Sequence, residues 1–293
     1  MPSLRIPNSI FRMQCTKAII ALAGYGTRRL PITKAVEKCM MPVGNQPIVD
    51  YIVDDLVAAG ITDIIFVVGE QADQIRTYYG HNELLERHLA EHNKTEWSGT
   101  LAAIAGKANF KFVVQDRYQP YGTTTPLWLA KELITDGEPF LMLYGDNIFY
   151  NQDGSSAIAD FLHQAEAAGT QGAMLAVPVP DDMVHHYGIV ATKMNGSVEL
   201  YDHIVEHPKI GEAPGNLNNA GCFLLQPNVL PHVERSMQQE APDHKEKWLI
   251  DAVNWWVADG NDTAVIRMKG EYLDCGSLQG WLSANNRIVG DHS

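Results

Sequence analysis

The sequence has 293 residues, 45% of them hydrophobic, and a formal net charge of -13 at pH 7. That length and apolar content supply a full core for one large domain or two modest ones, and the negative charge argues against nucleic acid or an anionic membrane as a partner. No apolar run approaches the ~20 residues that span a bilayer. The N-terminal stretch lacks the continuous apolar segment of a signal peptide. The four cysteines, Cys15, Cys39, Cys222 and Cys275, form no CxxC pair, so a zinc knuckle is excluded and a reducing cytoplasm is expected.

Residues 1–16 read as an N-terminal extension without a role, and 17–293 as a single domain. Its first strand is expected at 17–23, KAIIALA. Residues 47–61 place Ile48, Ile52, Leu56 and Val57 on one helical face, with Gly60 as the stop. Buried strands follow at 63–69 and 110–115. A helix is expected over 125–134, with Thr125 as N-cap and Pro126 in its first position. Further strands are expected at 139–149 and 173–179. This alternation predicts an α/β fold with a mostly parallel sheet covered on both faces. Beyond 180 the texture changes. Residues 187–208 read as a hairpin turning at Asn195-Gly196. A strand at 219–225, helices at 227–236 and 245–259, a strand at 264–268 and a helix from about 277 complete the chain. Antiparallel pieces are thus added to a parallel core, with one half at about 17–180 and a second at about 181–293.

The densest basic patch lies in LAGYGTRRLPITKAVEKCMMPV, residues 22–43, with Arg28, Arg29, Lys34 and Lys38. Glycines behind a buried strand let backbone N–H groups approach phosphate closely. A dinucleotide loop would place a third glycine where Arg29 stands, and no helix starts cleanly in RRLPITKA. The Walker pattern is absent too. A plain glycine turn with incidental basic neighbours is the alternative. Asp146 ends the strand FLMLYGD, where open α/β sheets hold their ligands, and Asp274 ends a strand in GEYLDCGS. Capping roles would explain each aspartate alone. Two such carboxylates with a basic glycine loop suit a magnesium–phosphate site, although spacing alone does not bring them together.

The segment GYGTRRLPITKAVEKCMMPVGNQPIVDYIVDDLVAAGITDI resembles the opening of the sugar-1-phosphate nucleotidyltransferases, most closely their bacterial UTP–glucose-1-phosphate uridylyltransferase branch. The similarity resumes at 139–149, 187–209, 216–225 and 268–277. It implies a Rossmann-like sheet and Mg²⁺-dependent transfer of a nucleotidyl group from UTP to a hexose 1-phosphate. It further implies that Ala23, Gly24, Gly26, Thr27 and Arg28 wrap the triphosphate, that Lys38 sits at the reacting phosphorus, and that Asp146 and Asp274 hold the metal. Gln115, Gly122 and Thr123 would lie at the base. Gly188, Glu206, His207, Lys209 and Asn219 would lie at the sugar phosphate. A homodimer or homotetramer is implied as well.

Several positions depart from the pattern. Cys39 follows Lys38 where the uridylyltransferases carry glutamate. The base loop QDRYQPYGTTTP is longer than theirs, so Gln115 or Gln119 could read the base, and Thr123 to Thr125 could instead cap the following helix. His207 replaces a lysine, which puts a group that titrates near neutrality at the phosphate clamp unless Lys209 takes that place. YGDNIFY resembles the thymidylyltransferase branch, making dTTP the alternative nucleotide. A catalytically weak paralogue that modulates an active enzyme is the alternative from another functional class. His185-His186 read as loop decoration.

Overall fold

The computed structural model describes residues 14–94, 96–134, 137–209, 211–239 and 246–291. In chain order the first half contains β1 (Lys17–Ala21), β2 (Pro42–Val43), β3 (Gln46–Pro47), α1 (Ile48–Ala58), β4 (Asp63–Val68), α2 (Asp73–Tyr79), α3 (Glu83–Glu91), α4 (Glu96–Ala105), β5 (Asn109–Val114) and α5 (Thr124–Ala130). Then come β6 (Phe140–Tyr144), β7 (Asn147–Tyr150), α6 (Ala157–Ala168), β8 (Gly172–Pro178), β9 (Gly188–Asn195), β10 (Val198–Glu206) and β11 (Leu217–Leu225). The remainder is α7 (Leu230–Gln238), α8 (Leu249–Ala258), β12 (Thr263–Arg267), β13 (Glu271–Asp274) and α9 (Leu278–Asp291).

The main sheet runs β5-β4-β1-β6-β11-β8-β12-β10-β9. Its first four strands are parallel. β11 enters antiparallel between β6 and β8, and the β9–β10 hairpin closes the far edge. The mixed α/β architecture expected from the sequence is therefore present, with the antiparallel strands in the second half. Alternate residues of the strands feed opposite cores, as the two-residue period of a strand requires. Ile20, Phe66 and Leu141 pack with Leu56 of α1 and Phe161 of α6. Ile19, Val67 and Phe140 pack with Leu127 of α5, Val233 of α7 and Trp256 of α8. Both faces are thus covered, which explains the continuous apolar runs of β1, β4 and β6.

Several boundaries differ from the sequence expectations. The expected strand 139–149 is two strands broken at Gly145-Asp146, and β7 leaves the main sheet to pair with β13. A Cβ on Gly145 would stand 1.9 Å from Leu22 Cδ2, so a larger residue at this break would displace the Leu22 side chain. The helix expected over 125–134 starts at Thr124, ends at Ala130 and continues as a 3₁₀ turn. Thr125 is not its N-cap, because its hydroxyl donates to Pro120 O at 2.6 Å. The stretch expected as helix over 227–236 opens as a 3₁₀ turn before α7. The helix expected at 245–259 is α8, starting at Leu249, and residue 245 lies outside the described residues. So does nearly all of the expected N-terminal extension.

The sequence pattern did not reveal α2, α3, α4 and α6. α4 has no fully buried residue and hence no apolar stripe to read. This flank is held instead by the buried Asp50 carboxylate, which accepts from the Tyr78 and Tyr79 hydroxyls at 2.9 Å and from Lys107 Nζ at 2.8 Å. A buried charge is tolerable when it is paired and hydrogen-bonded in this way. The four cysteines are free and buried. Among the described residues, no helix is long and apolar enough to cross a membrane.

Candidate active site

The carboxyl ends of β1 and β6 open onto a cleft of about 370 Å³. One wall is the glycine loop. Gly26 adopts φ +64 and its carbonyl accepts from Arg29 N–H and Thr33 Oγ1 at 2.9 and 2.8 Å. A Cβ on Gly24 would meet Lys38 Nζ at 3.5 Å, so the ammonium lies over the loop backbone. Lys38 opens a 3₁₀ turn and donates to Asp146 Oδ2 at 2.9 Å. The residue before it is braced from α2. Gln74 Oε1 accepts the Glu37 N–H at 2.8 Å, and Glu37 Oε1 accepts the Gln74 N–H at 2.7 Å.

The β7–β13 ribbon joins the two aspartates. It sets Asp274 opposite Asn147, and Cys275 N–H donates to Asp146 O at 2.9 Å. Asp274 Oδ1 accepts from Gly276 N–H at 2.8 Å. A Cβ on Gly276 would stand 3.0 Å from Asp146 Oδ2, 3.0 Å from Asp274 Oδ1 and 3.1 Å from Arg28 Nη2. Two carboxylates and a guanidinium therefore surround one glycine. Burial alone would raise the Asp146 carboxyl, but Lys38, with a smaller contribution from Arg28, more than offsets it and holds the group below the usual carboxylate range. The buried Arg29 donates to Cys275 O at 2.7 Å and fixes the turn that carries Asp274.

These oxygen donors fit a hard divalent cation. Magnesium takes one or two protein carboxylates and leaves its other positions for phosphate and water. Among the described residues, no group of three or more His, Cys, Asp and Glu side chains stands as an all-protein cage.

Gln115, Tyr121, Gly122, Thr123 and Glu246 form part of the cleft lining. Gly122 has φ +135, and a Cβ there would fall 2.3 Å from Lys247 O. The loop is pinned to the segment before α8 by Lys247 N–H to Tyr121 O at 2.8 Å, Thr124 N–H to Lys247 O at 2.9 Å and Leu249 N–H to Thr123 Oγ1 at 2.9 Å. Thr123 therefore serves the first N–H of α8 rather than its own helix. Gln115 lines the cleft and Gln119 does not.

Also in the lining, Gly188 of β9 faces Glu206 of β10 in register. A Cβ on Gly188 would meet Glu206 Oε1 at 2.7 Å, so the carboxylate lies against bare backbone. His207 follows at φ +47, its Nδ1 3.3 Å from His185 O. A carbonyl only accepts, so Nδ1 carries the proton and donates. Asn219 lines the cleft too, and its Oδ1 accepts from Gly221 N–H at 3.0 Å.

Of the residues singled out from the sequence, Ala23, Gly24, Arg28, Lys38, Asp146, His207 and Asp274 also border this cleft. Gly26, Thr27 and Lys209 do not line it. His186, read as loop decoration, does line it, as do Tyr187, Asn218 and Tyr272. The only available sequence signal for His186 and Tyr187 was adjacency to Gly188. Asn218 and Tyr272 arrive through strand register, which no local pattern reports.

A glycine-rich basic loop facing two strand-end carboxylates suits phosphate chemistry. A family model described as nucleotidyl transferase matches residues 17–290, and the chain belongs to that family. It is 34% identical over 273 residues to UTP–glucose-1-phosphate uridylyltransferase 1 of Staphylococcus saprophyticus, covering 92% of this chain and 91% of that protein. It is 29% identical over 272 residues to the UTP–glucose-1-phosphate uridylyltransferase of Pseudomonas aeruginosa, covering 92% and 94%. The solved structure of UTP-bound UGPase from Acinetobacter baumannii superposes with a TM-score of 0.82 at 29% identity, covering 94% of this chain and 93% of that one.

Proposed function

We propose that this nucleotidyltransferase moves the uridylyl group of UTP onto glucose 1-phosphate, giving UDP-glucose and pyrophosphate. The observation that carries the proposal is the meeting of Arg28, Lys38, Asp146 and Asp274 in a cleft that the glycine loop also lines. The names of the relatives support the choice of UTP and glucose 1-phosphate.

The roles follow from charge and reach. The Gly24 and Gly26 loop presents backbone to the triphosphate, with Ala23 and Thr27 as its flanks. Gln115, Gly122 and Thr123 receive the base. Gly188, Glu206, His207 and Asn219 receive the sugar phosphate, with Lys209 held outside the cleft wall. The sugar phosphate is already anionic at neutral pH, so its oxygen attacks the α-phosphorus without a protein base. Lys38 draws charge from that phosphate, and Arg28 holds the leaving pyrophosphate. Asp146 and Asp274 would hold Mg²⁺, which supplies Lewis-acid neutralisation of the phosphate oxygens. The rest is positioning of two anions that otherwise repel. A cytoplasmic homodimer or homotetramer, with 17–180 and 181–293 as nucleotide and sugar halves of one unit, belongs to the same proposal; light scattering of the purified protein tests its assembly.

The function is tested by incubating the protein with Mg²⁺, each nucleoside triphosphate and a panel of sugar 1-phosphates while following pyrophosphate. Release with UTP and glucose 1-phosphate is expected. A preference for dTTP would replace the base assignment. Saturable nucleotide binding with no release from any pair would overturn the enzyme reading in favour of a modulating paralogue.

A further inference from the structure

Asn218 stands on β11 opposite Ile189 of β9, one residue beyond the Gly188–Glu206 pair. It borders the cleft yet is only 3% exposed. Its Nδ2 is buried and has no hydrogen-bond partner. The other side chains with buried, unpartnered polar atoms among the described residues are Arg29, Asp55, Thr124 and His185, and none of them lines the cleft. Asn218 is therefore the one such group positioned to meet a ligand. Its neighbour Asn219 is already committed to Gly221 N–H. Tyr272 lies close by, its hydroxyl pushed up by burial and drawn slightly back by the Asn218 amide, but the two fall short of a hydrogen bond.

An amide nitrogen has two protons to donate and nothing to accept with. Left dry and unpaired it is costly, and the cost returns only when an acceptor arrives. The strand partner of Asn218, Ile189, adjoins Gly188, which puts this position beside the Gly188–Glu206 pair proposed above to receive the sugar phosphate.

We propose that Asn218 is a specificity-determining residue whose amide donates to a hydroxyl oxygen of the hexose 1-phosphate, so that the site selects a fully hydroxylated hexose over an analogue deoxygenated at that carbon. The proposal rests on the sugar-nucleotidyl transfer reading above. A site built to hydrogen-bond a hydroxyl discriminates against the analogue lacking it, because its own buried group is then left unpaired.

The test compares kcat/KM for glucose 1-phosphate and each singly deoxygenated analogue, in the wild type and in Asn218→Ala. The wild type should reject one analogue by roughly 10- to 100-fold more than the others. Asn218→Ala should lose about that factor on glucose 1-phosphate and no longer distinguish that analogue, while UTP affinity is unchanged. Asn218→Asp, which keeps the size but cannot donate when ionised, should behave alike and serves if the alanine variant fails to fold. A uniform loss on every sugar, matched by Tyr272→Phe, would assign Asn218 to packing and overturn the proposal. Unchanged discrimination in both Asn218 variants would overturn it too. No pyrophosphate from the wild type with any sugar phosphate would defeat the parent reading and this one together, a result distinct from normal turnover without selectivity.

Discussion

Replacing Gly122 by alanine probes whether the Tyr121–Thr123 loop is a fixed wall of the proposed nucleotide site. The residue has φ +135, a conformation that side chains with a Cβ rarely adopt. The added Cβ would lie 2.3 Å from Lys247 O, 2.4 Å from Lys247 N and 2.7 Å from Lys247 C. Those are backbone atoms, so no rotamer change relieves the clash. The loop must lift from Lys247, which breaks the bonds from Lys247 N–H to Tyr121 O, from Thr124 N–H to Lys247 O and from Leu249 N–H to Thr123 Oγ1. At about 1 kcal/mol each, restoring that loop to receive the base costs about 3 kcal/mol. The dissociation constant for UTP should then rise by roughly 100-fold. Titration calorimetry measures it, and far-ultraviolet circular dichroism checks that the body of the protein stays folded. UTP affinity within about threefold of wild type in a folded Gly122→Ala protein would refute the argument that this backbone contact shapes the site.

Asp146→Asn removes the carboxylate that pairs with Lys38 while keeping its shape, so turnover should fall by roughly 100- to 1,000-fold with the melting curve little changed; stopped-time pyrophosphate assays check this. Gln74→Ala removes the acceptor for Glu37 N–H and a donor to Ala35 O. It should lower kcat about tenfold by loosening Lys38, with nucleotide affinity retained, and steady-state kinetics beside calorimetry separate the two effects. Asp55 offers a pH test of stability. Burial pushes its carboxyl from 3.8 up to about 6, against the bonds it receives from Ser156 and the start of α6. A raised acid is protonated more readily in the folded than in the unfolded state. Its effect is therefore nil below pH 3.8, and stability falls as pH rises through the interval to about 6, by about 3 kcal/mol in all. Urea unfolding at pH 4 and pH 8 should show that loss in the wild type and a much smaller one in Asp55→Asn; equal pH dependence in both proteins would remove Asp55 as the cause.

The legible parts of this fold were those set by local pattern. Continuous apolar runs marked β1, β4 and β6 because both faces of these strands are buried. Asn195-Gly196 marked the β9–β10 hairpin because its turn favours left-handed backbone. The glycine loop and the strand-end aspartates were visible as candidates, and the family resemblance supplied their joint meaning. What stayed hidden was set at a distance. α2 and the turn after α4 are tied to α1 by the Asp50 network, a set of long-range contacts to Tyr78, Tyr79 and Lys107. The length of the base loop was plain in the sequence, but its dependence on Lys247 was not, because the contact is to backbone and leaves no trace in residue type. Asn218 and Tyr272 reach the cleft through sheet register.

The pairing of β7 with β13 has a temporal consequence. Asp146 leaves the ribosome long before Asp274, and the two carboxylates are joined only when the last strand docks beside β7. Until then the growing polypeptide holds a nucleotide loop and a single strand-end acid. A nascent or C-terminally clipped molecule would lack the second carboxylate, and with it half of the proposed metal-binding pair. On the proposed roles of Asp146 and Asp274, catalytic competence would come late in synthesis, with the final ribbon.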